Sequence, residues 1–98
     1  MNLERLLRDH TLLADGSTGT ALEALAPDWC GPGQLLPLER PDLVLKLHHS
    51  YIEAGSDLIE SASFSSSARS LVRAVVTVDA RELNRVAGSL ARLACDHA

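Results

Sequence analysis

The stretch Pro41–Ser61, PDLVLKLHHSYIEAGSDLIES, changes its period part-way, and that change decides how the chain reads. Leu43, Val44, Leu47, Tyr51 and Ile52 fall on one stripe of a helix. Pro41 suits the first helical position, where a backbone N–H would have no partner anyway. Gly55 suits the left-handed residue just past the helix end. Leu58 and Ile59 then open an extended run through Glu60 to Ser63, with the strand itself placed at Leu58–Ser61.

Outward from this unit the same alternation recurs. Leu3, Leu6 and Leu7 predict a short helix over residues 2–9, and Thr11–Ala14 predicts a strand closed by an Asp15-Gly16 turn. Thr20–Leu25 predicts one or two helical turns, stopped by Pro27. Pro27–Pro37, with three prolines and two glycines, predicts a loop. Residues 66–74 fit no single period, and Val75–Val78 is β-branched and prefers an extended backbone. Asp79 with Glu82 predicts a capping box. Leu83, Val86, Ala87, Leu90, Ala91 and Ala94 continue it as an amphipathic helix.

Strands joined by helical crossovers must run parallel, so the expected class is α/β. Parallel strands want neighbours on both edges and helices on both faces. Two short strands cannot supply these, so the sheet is expected to be incomplete. The outer edges are then open, and the chain is expected to be molten, aggregated or self-associated, or to meet a partner chain that completes the structure.

Composition narrows the function. The chain has 98 residues, enough for one small domain. Nine Lys and Arg stand against 13 Asp and Glu, for a net charge of −4. The basic residues are scattered singly, which argues against nucleic acid and against an anionic membrane. No apolar run has the length of a signal sequence or a membrane span, which predicts a cytoplasmic protein. Cys30 and Cys95 show no Cys-x-x-Cys spacing and are expected as free thiols in that compartment. His48 and His49 are adjacent on a helix and point about 100° apart, so they make a poor chelating pair.

Two stretches carry candidate chemistry. Asp15-Gly16-Ser17-Thr18-Gly19-Thr20 follows the first strand, where a carboxylate and exposed backbone amides suit a ligand; it also suits a turn that caps the next helix. Asp57–Phe64 ends the second strand with Ser61 and Ser63 on the same parity, so both hydroxyls can serve one side; a hydroxyl-rich turn explains them equally.

Taken together, Asp15–Thr20, Arg40–Val44, His48–Phe64 and Glu82–Ala87 resemble the N-terminal part of the homocysteine S-methyltransferase family, which includes the substrate domain of cobalamin-dependent methionine synthase and betaine–homocysteine methyltransferase. The resemblance implies the first portion, about two βα units, of a TIM (β/α)8 barrel left incomplete in this chain, with residues 1–98 as a partial homocysteine-binding domain. It implies transfer of a methyl group to the homocysteine thiol to form methionine. It places substrate binding at Asp15, Gly16, Ser61, Ser63 and Phe64. The family's paired threonines are serines here, at Ser61 and Ser63, and a glycine usual near position 76 is replaced by Val75-Val76-Thr77. The family's zinc would activate the thiol, but its cysteine ligands match no position of this chain. The methyl donor stays open, with cobalamin or methylfolate among the sources. This chain would supply part of the pocket and be inactive alone. The rival reading is a non-catalytic α/β module or subunit derived from the same family.

Overall fold

A computed structural model describes residues 2–98. It contains six α-helices: α1 (Leu3–Asp9), α2 (Gly19–Leu25), α3 (Leu36–Glu39), α4 (Pro41–Glu53), α5 (Ala68–Arg73) and α6 (Ala80–Asp96). A 3₁₀ turn, Gly33–Leu35, leads into α3. Among the described residues no helix is long and apolar enough to cross a membrane.

The expected α/β class is not what forms. The described chain is all-α apart from one isolated parallel bridge, Ala14 to Leu58, and no sheet is built, so no partial barrel is present. The hydrogen bonds give the reason. Leu58 N donates to Leu13 O at 3.2 Å and Asp15 N donates to Leu58 O at 3.0 Å, which is one rung of a parallel ladder. The next rung would run from Glu60 N to the Asp15 carbonyl. That N–H goes instead to the Asp15 carboxylate, at 3.1 Å to Oδ2. At the other end, Leu13 N goes to Asp57 Oδ2 at 2.9 Å rather than back into the ladder. Two aspartates therefore intercept the donors on either side of a single rung. No third strand lies alongside to hold the backbone straight, and Leu13 and Leu58 stay 58% and 38% exposed.

Three other expectations change. The loop over Pro27–Pro37 gives way at its end to the 3₁₀ turn and α3, with Pro37 in the first helical turn and buried. Val75–Val78 is not a continuous extended run. Residues 68–73 form α5, capped by Ser67, whose Oγ accepts from Ser70 N at 3.2 Å. The capping box at α6 is half made: Asp79 accepts from Arg81 N at 3.0 Å, while Glu82 turns to pair with Arg85.

The core has two parts. Leu22, Ala26, Leu36, Val44, Leu47 and Leu90 join α2, α3, α4 and α6. Leu71, Val76 and Leu83 join α5 and its exit to α6. The long helix α6 packs on both α4 and α3, as the Leu83–Ala94 stripe requires.

Two helix ends show the same device with different residues. After α4, Gly55 N donates to Ile52 O and Ser56 N to Tyr51 O, with Gly55 at φ 109°. After α5, Val75 N donates to Val72 O and Val76 N to Leu71 O, with Val75 at φ 57°. The second is the same Schellman closure, built on a β-branched residue where left-handed backbone is costly. Val75 is 85% exposed, so no packing compels the valine. Val75→Gly is therefore expected to stabilise the chain by about 1 kcal/mol. Thermal or urea denaturation checks it, and a loss of stability would show that the valine side chain makes contacts that matter.

Candidate functional site

The Asp15 loop and the serine loop meet through one bond, Glu60 N to Asp15 Oδ2. Asp15 is half-buried at this junction. Gly16 comes next because nothing larger fits: a Cβ there would stand 2.9 Å from the Tyr51 hydroxyl. That hydroxyl donates to Ser17 O at 2.7 Å, so α4 grips the loop from behind. Within the loop, Thr20 Oγ1 donates to Ser17 Oγ at 2.8 Å.

The serine loop folds on itself. Ser61 Oγ and Ser63 Oγ lie 2.6 Å apart, Ser63 N donates to Ser61 O, and Ser66 N donates to Ser63 O. The two hydroxyls do come together, but through a tight turn and not through the strand parity expected of them. The Phe64 ring is fully exposed.

Between these loops, α2 and α3 lies an open cleft of about 480 Å³. Leu22, Ala26 and Leu36 give it an apolar floor, and Glu23, Gln34 and Glu60 add polar groups. Ser61 and Phe64 line it directly. Asp15, Gly16 and Ser63 do not; Asp15 is bonded to the lining residue Glu60 and Ser63 to the lining residue Ser61. Sequence reasoning missed Trp29, which forms a wall. Its Nε1 donates to Pro32 O at 3.2 Å and its ring lies over Gly31, where a Cβ would come within 2.9 Å. The available signal was the chain's one tryptophan set inside a Pro- and Gly-rich loop.

Residues 12–98 match the homocysteine S-methyltransferase family. The chain belongs to that family. It is also 35% identical over 85 residues to homocysteine S-methyltransferase 1 of Zea mays, an alignment that covers 84% of this chain and 26% of that protein. The chain thus spans about a quarter of the length of this homocysteine S-methyltransferase relative, and its resemblance is to a methyltransferase.

The zinc that the family implies can be tested against the donors present. Among the described residues no three His, Cys, Asp or Glu side chains gather where they could hold a metal ion. Cys30 and Cys95 are free and exposed. His48 is 1% exposed, and neither of its ring nitrogens has a hydrogen-bond partner. Burial holds its pKa below the ordinary 6.5, a shift that the Asp15 carboxylate partly offsets and His49 reinforces. A neutral imidazole enclosed by helices is not an open metal ligand. These residues do not fit a zinc ion.

Proposed function

We propose that this chain supplies the thiol-substrate end of a homocysteine S-methyltransferase cleft, and that Asp15, Gly16, Ser61, Ser63 and Phe64 hold homocysteine there. The observation that carries the reading is the bond from Glu60 N to Asp15 Oδ2, which fastens the two motif loops together beside one cleft. That bond uses one carboxylate oxygen and leaves the other for a ligand ammonium, a charge-assisted contact of the stronger kind. Of the paired hydroxyls of Ser61 and Ser63 one donates to the other, and the second keeps its O–H to donate to a carboxylate. Phe64 and the apolar floor would cover the methylene chain, and the small Gly16 lets backbone approach closely.

Activation of the thiol and delivery of the methyl group belong, in this reading, to polypeptide beyond these residues. It would be a further segment or a partner chain, and it would bring the donor site and any metal. The chain alone is then expected to bind weakly and to transfer no methyl group.

The test is a titration of the 98-residue chain with L-homocysteine, followed by backbone amide shifts. Perturbations at Gly16, Glu60, Ser61 and Ser63 that saturate in the millimolar range are expected, and Asp15→Ala should reduce the affinity by about tenfold, the value of one charge-assisted hydrogen bond. Shifts confined to α1 or α6, or an unchanged affinity in the Asp15 variant, would defeat the proposal.

A further inference from the structure

The serine loop is held from a helix that contributes nothing to the cleft. Asn84 on α6 spends both hydrogens of its side-chain amide on carbonyls: Nδ2 donates to Ser66 O at 2.9 Å and to Ala80 O at 2.8 Å. The Ala80 bond lies within α6 and fixes the direction of the side chain. The Ser66 bond then reaches 18 residues back in sequence to a buried residue of the loop. From Ser66 the order passes inward. Ser66 N donates to Ser63 O at 3.1 Å, and Ser63 Oγ lies against Ser61 Oγ. Ser66 itself lines the cleft.

We infer that Asn84 is a positioning residue, which sets where the Ser61 and Ser63 hydroxyls stand by anchoring the Ser66 carbonyl to α6. The inference rests on the reading of the cleft as the homocysteine end of the site. The chemistry asks for this residue type. A carboxamide offers two N–H donors from one nitrogen, aimed about 120° apart, and two carbonyls are waiting. An aspartate of the same shape has no donor when ionised, so it would turn two attractions into two repulsions. A serine has a single O–H and can serve one carbonyl at most, and an alanine has no donor at all. Placed on the long, doubly packed α6 and not on a loop, the anchor is rigid, and the loop inherits that rigidity.

The experiment compares Asn84→Asp with Ala94→Gly in the full 98-residue chain. Ala94 is buried on the same helix, and glycine there weakens the helix without touching the serine loop. The readouts are amide hydrogen exchange at Ser66, whose N–H is bonded within the loop, and the dissociation constant for L-homocysteine. Asn84→Asp should speed exchange at Ser66 and weaken binding about five- to tenfold, as loss of one aligned hydrogen bond would. Ala94→Gly should lower the thermal midpoint and leave both readouts near the parent values. Equal effects of the two variants would reduce Asn84 to a general stabiliser and overturn the inference, as would parent-like binding by Asn84→Asp. Should the parent chain itself fail to bind homocysteine, the reading of the cleft fails separately. The anchor is then judged on exchange alone, and unchanged protection at Ser66 in Asn84→Asp overturns it.

Discussion

Leu83→Ala should cost about 2–5 kcal/mol, the range for removing a fully enclosed leucine side chain, and so should unfold much of the chain at ambient temperature. Leu83 is 0% exposed and lies in the smaller core cluster with Leu71 and Val76. Leu35, Leu38 and Val78 pack against that cluster, so the 3₁₀ turn, α3 and the α5 exit all meet α6 there. Whole domains are stable by only about 5–15 kcal/mol, and a chain this short sits toward the low end. Few neighbours can collapse into the void, because the backbone around Val75 is already fixed by its helix-end bonds. The comparison is Leu93→Ala on the same helix, where the leucine is 38% exposed and the loss should be about 1 kcal/mol. Urea denaturation followed by circular dichroism measures both. Equal losses from the two variants would show that the Leu71–Val76–Leu83 cluster is not packed as described.

Helices α1, α2, α4 and α6 were legible because each rests on short-range signals, whereas α3 and α5 were not. Pro41 and Gly55 bracket α4 as expected, and the Leu83–Ala94 stripe gives α6. The strands were misread because a strand is a relation between segments, and sequence period shows only one partner's side of it. Leu58-Ile59-Glu60-Ser61 has the composition of a parallel strand. Whether it becomes one depends on where its N–H groups go, and the aspartates at positions 15 and 57 capture the N–H groups beyond the single rung. In the sequence Asp15 read as a turn residue and a candidate ligand contact and Asp57 as the start of the second motif, neither as a partner for the other segment's backbone. Val75 was misjudged for a related reason. Its β-branch favours extended backbone, yet the helix before it needs a left-handed residue to close, and closure prevails.

The candidate site was legible as two motifs but not as one surface. Nothing in the spacing of Asp15 and Glu60 tells that a side-chain carboxylate of one loop caps a backbone amide of the other. Ser61 and Ser63 could be paired from strand parity, because residues two apart share a side of an extended backbone, but it is a turn that brings them together here. Asn84 and Tyr51 could not be assigned to the loops in advance. Both act across long sequence separations, through bonds to carbonyls whose identity is set by packing. His48 read only as half of a poor chelating pair, and the structure buries it. The sequence carried no sign that both its nitrogens would lie without partners.

Acid should find that histidine. Burial holds the His48 pKa in the folded chain below the ordinary 6.5, against a partial counter-effect from the Asp15 carboxylate. Above about pH 6.5 the imidazole is neutral in both the folded and the unfolded chain, and His48 adds no pH dependence. As pH falls below 6.5 the unfolded chain takes up the proton first, while the folded one resists it, so stability declines. The decline from this one group is at most about 1.4 kcal/mol per pH unit, and it stops once the folded form also protonates. The charged groups that face the imidazole act in opposite directions: Asp15 eases protonation, and His49 one residue away opposes it. His48→Leu keeps a similar volume, removes two buried nitrogens without partners and removes the titration. It should match or exceed the parent in stability at pH 7, and the gap should widen toward pH 5. Because every other titratable group is common to the two proteins, the difference between the two urea midpoints reports the His48 imidazole. Parallel curves between pH 7 and pH 5 would mean that the imidazole finds a proton acceptor in the folded chain, the nearest candidate being Asp15.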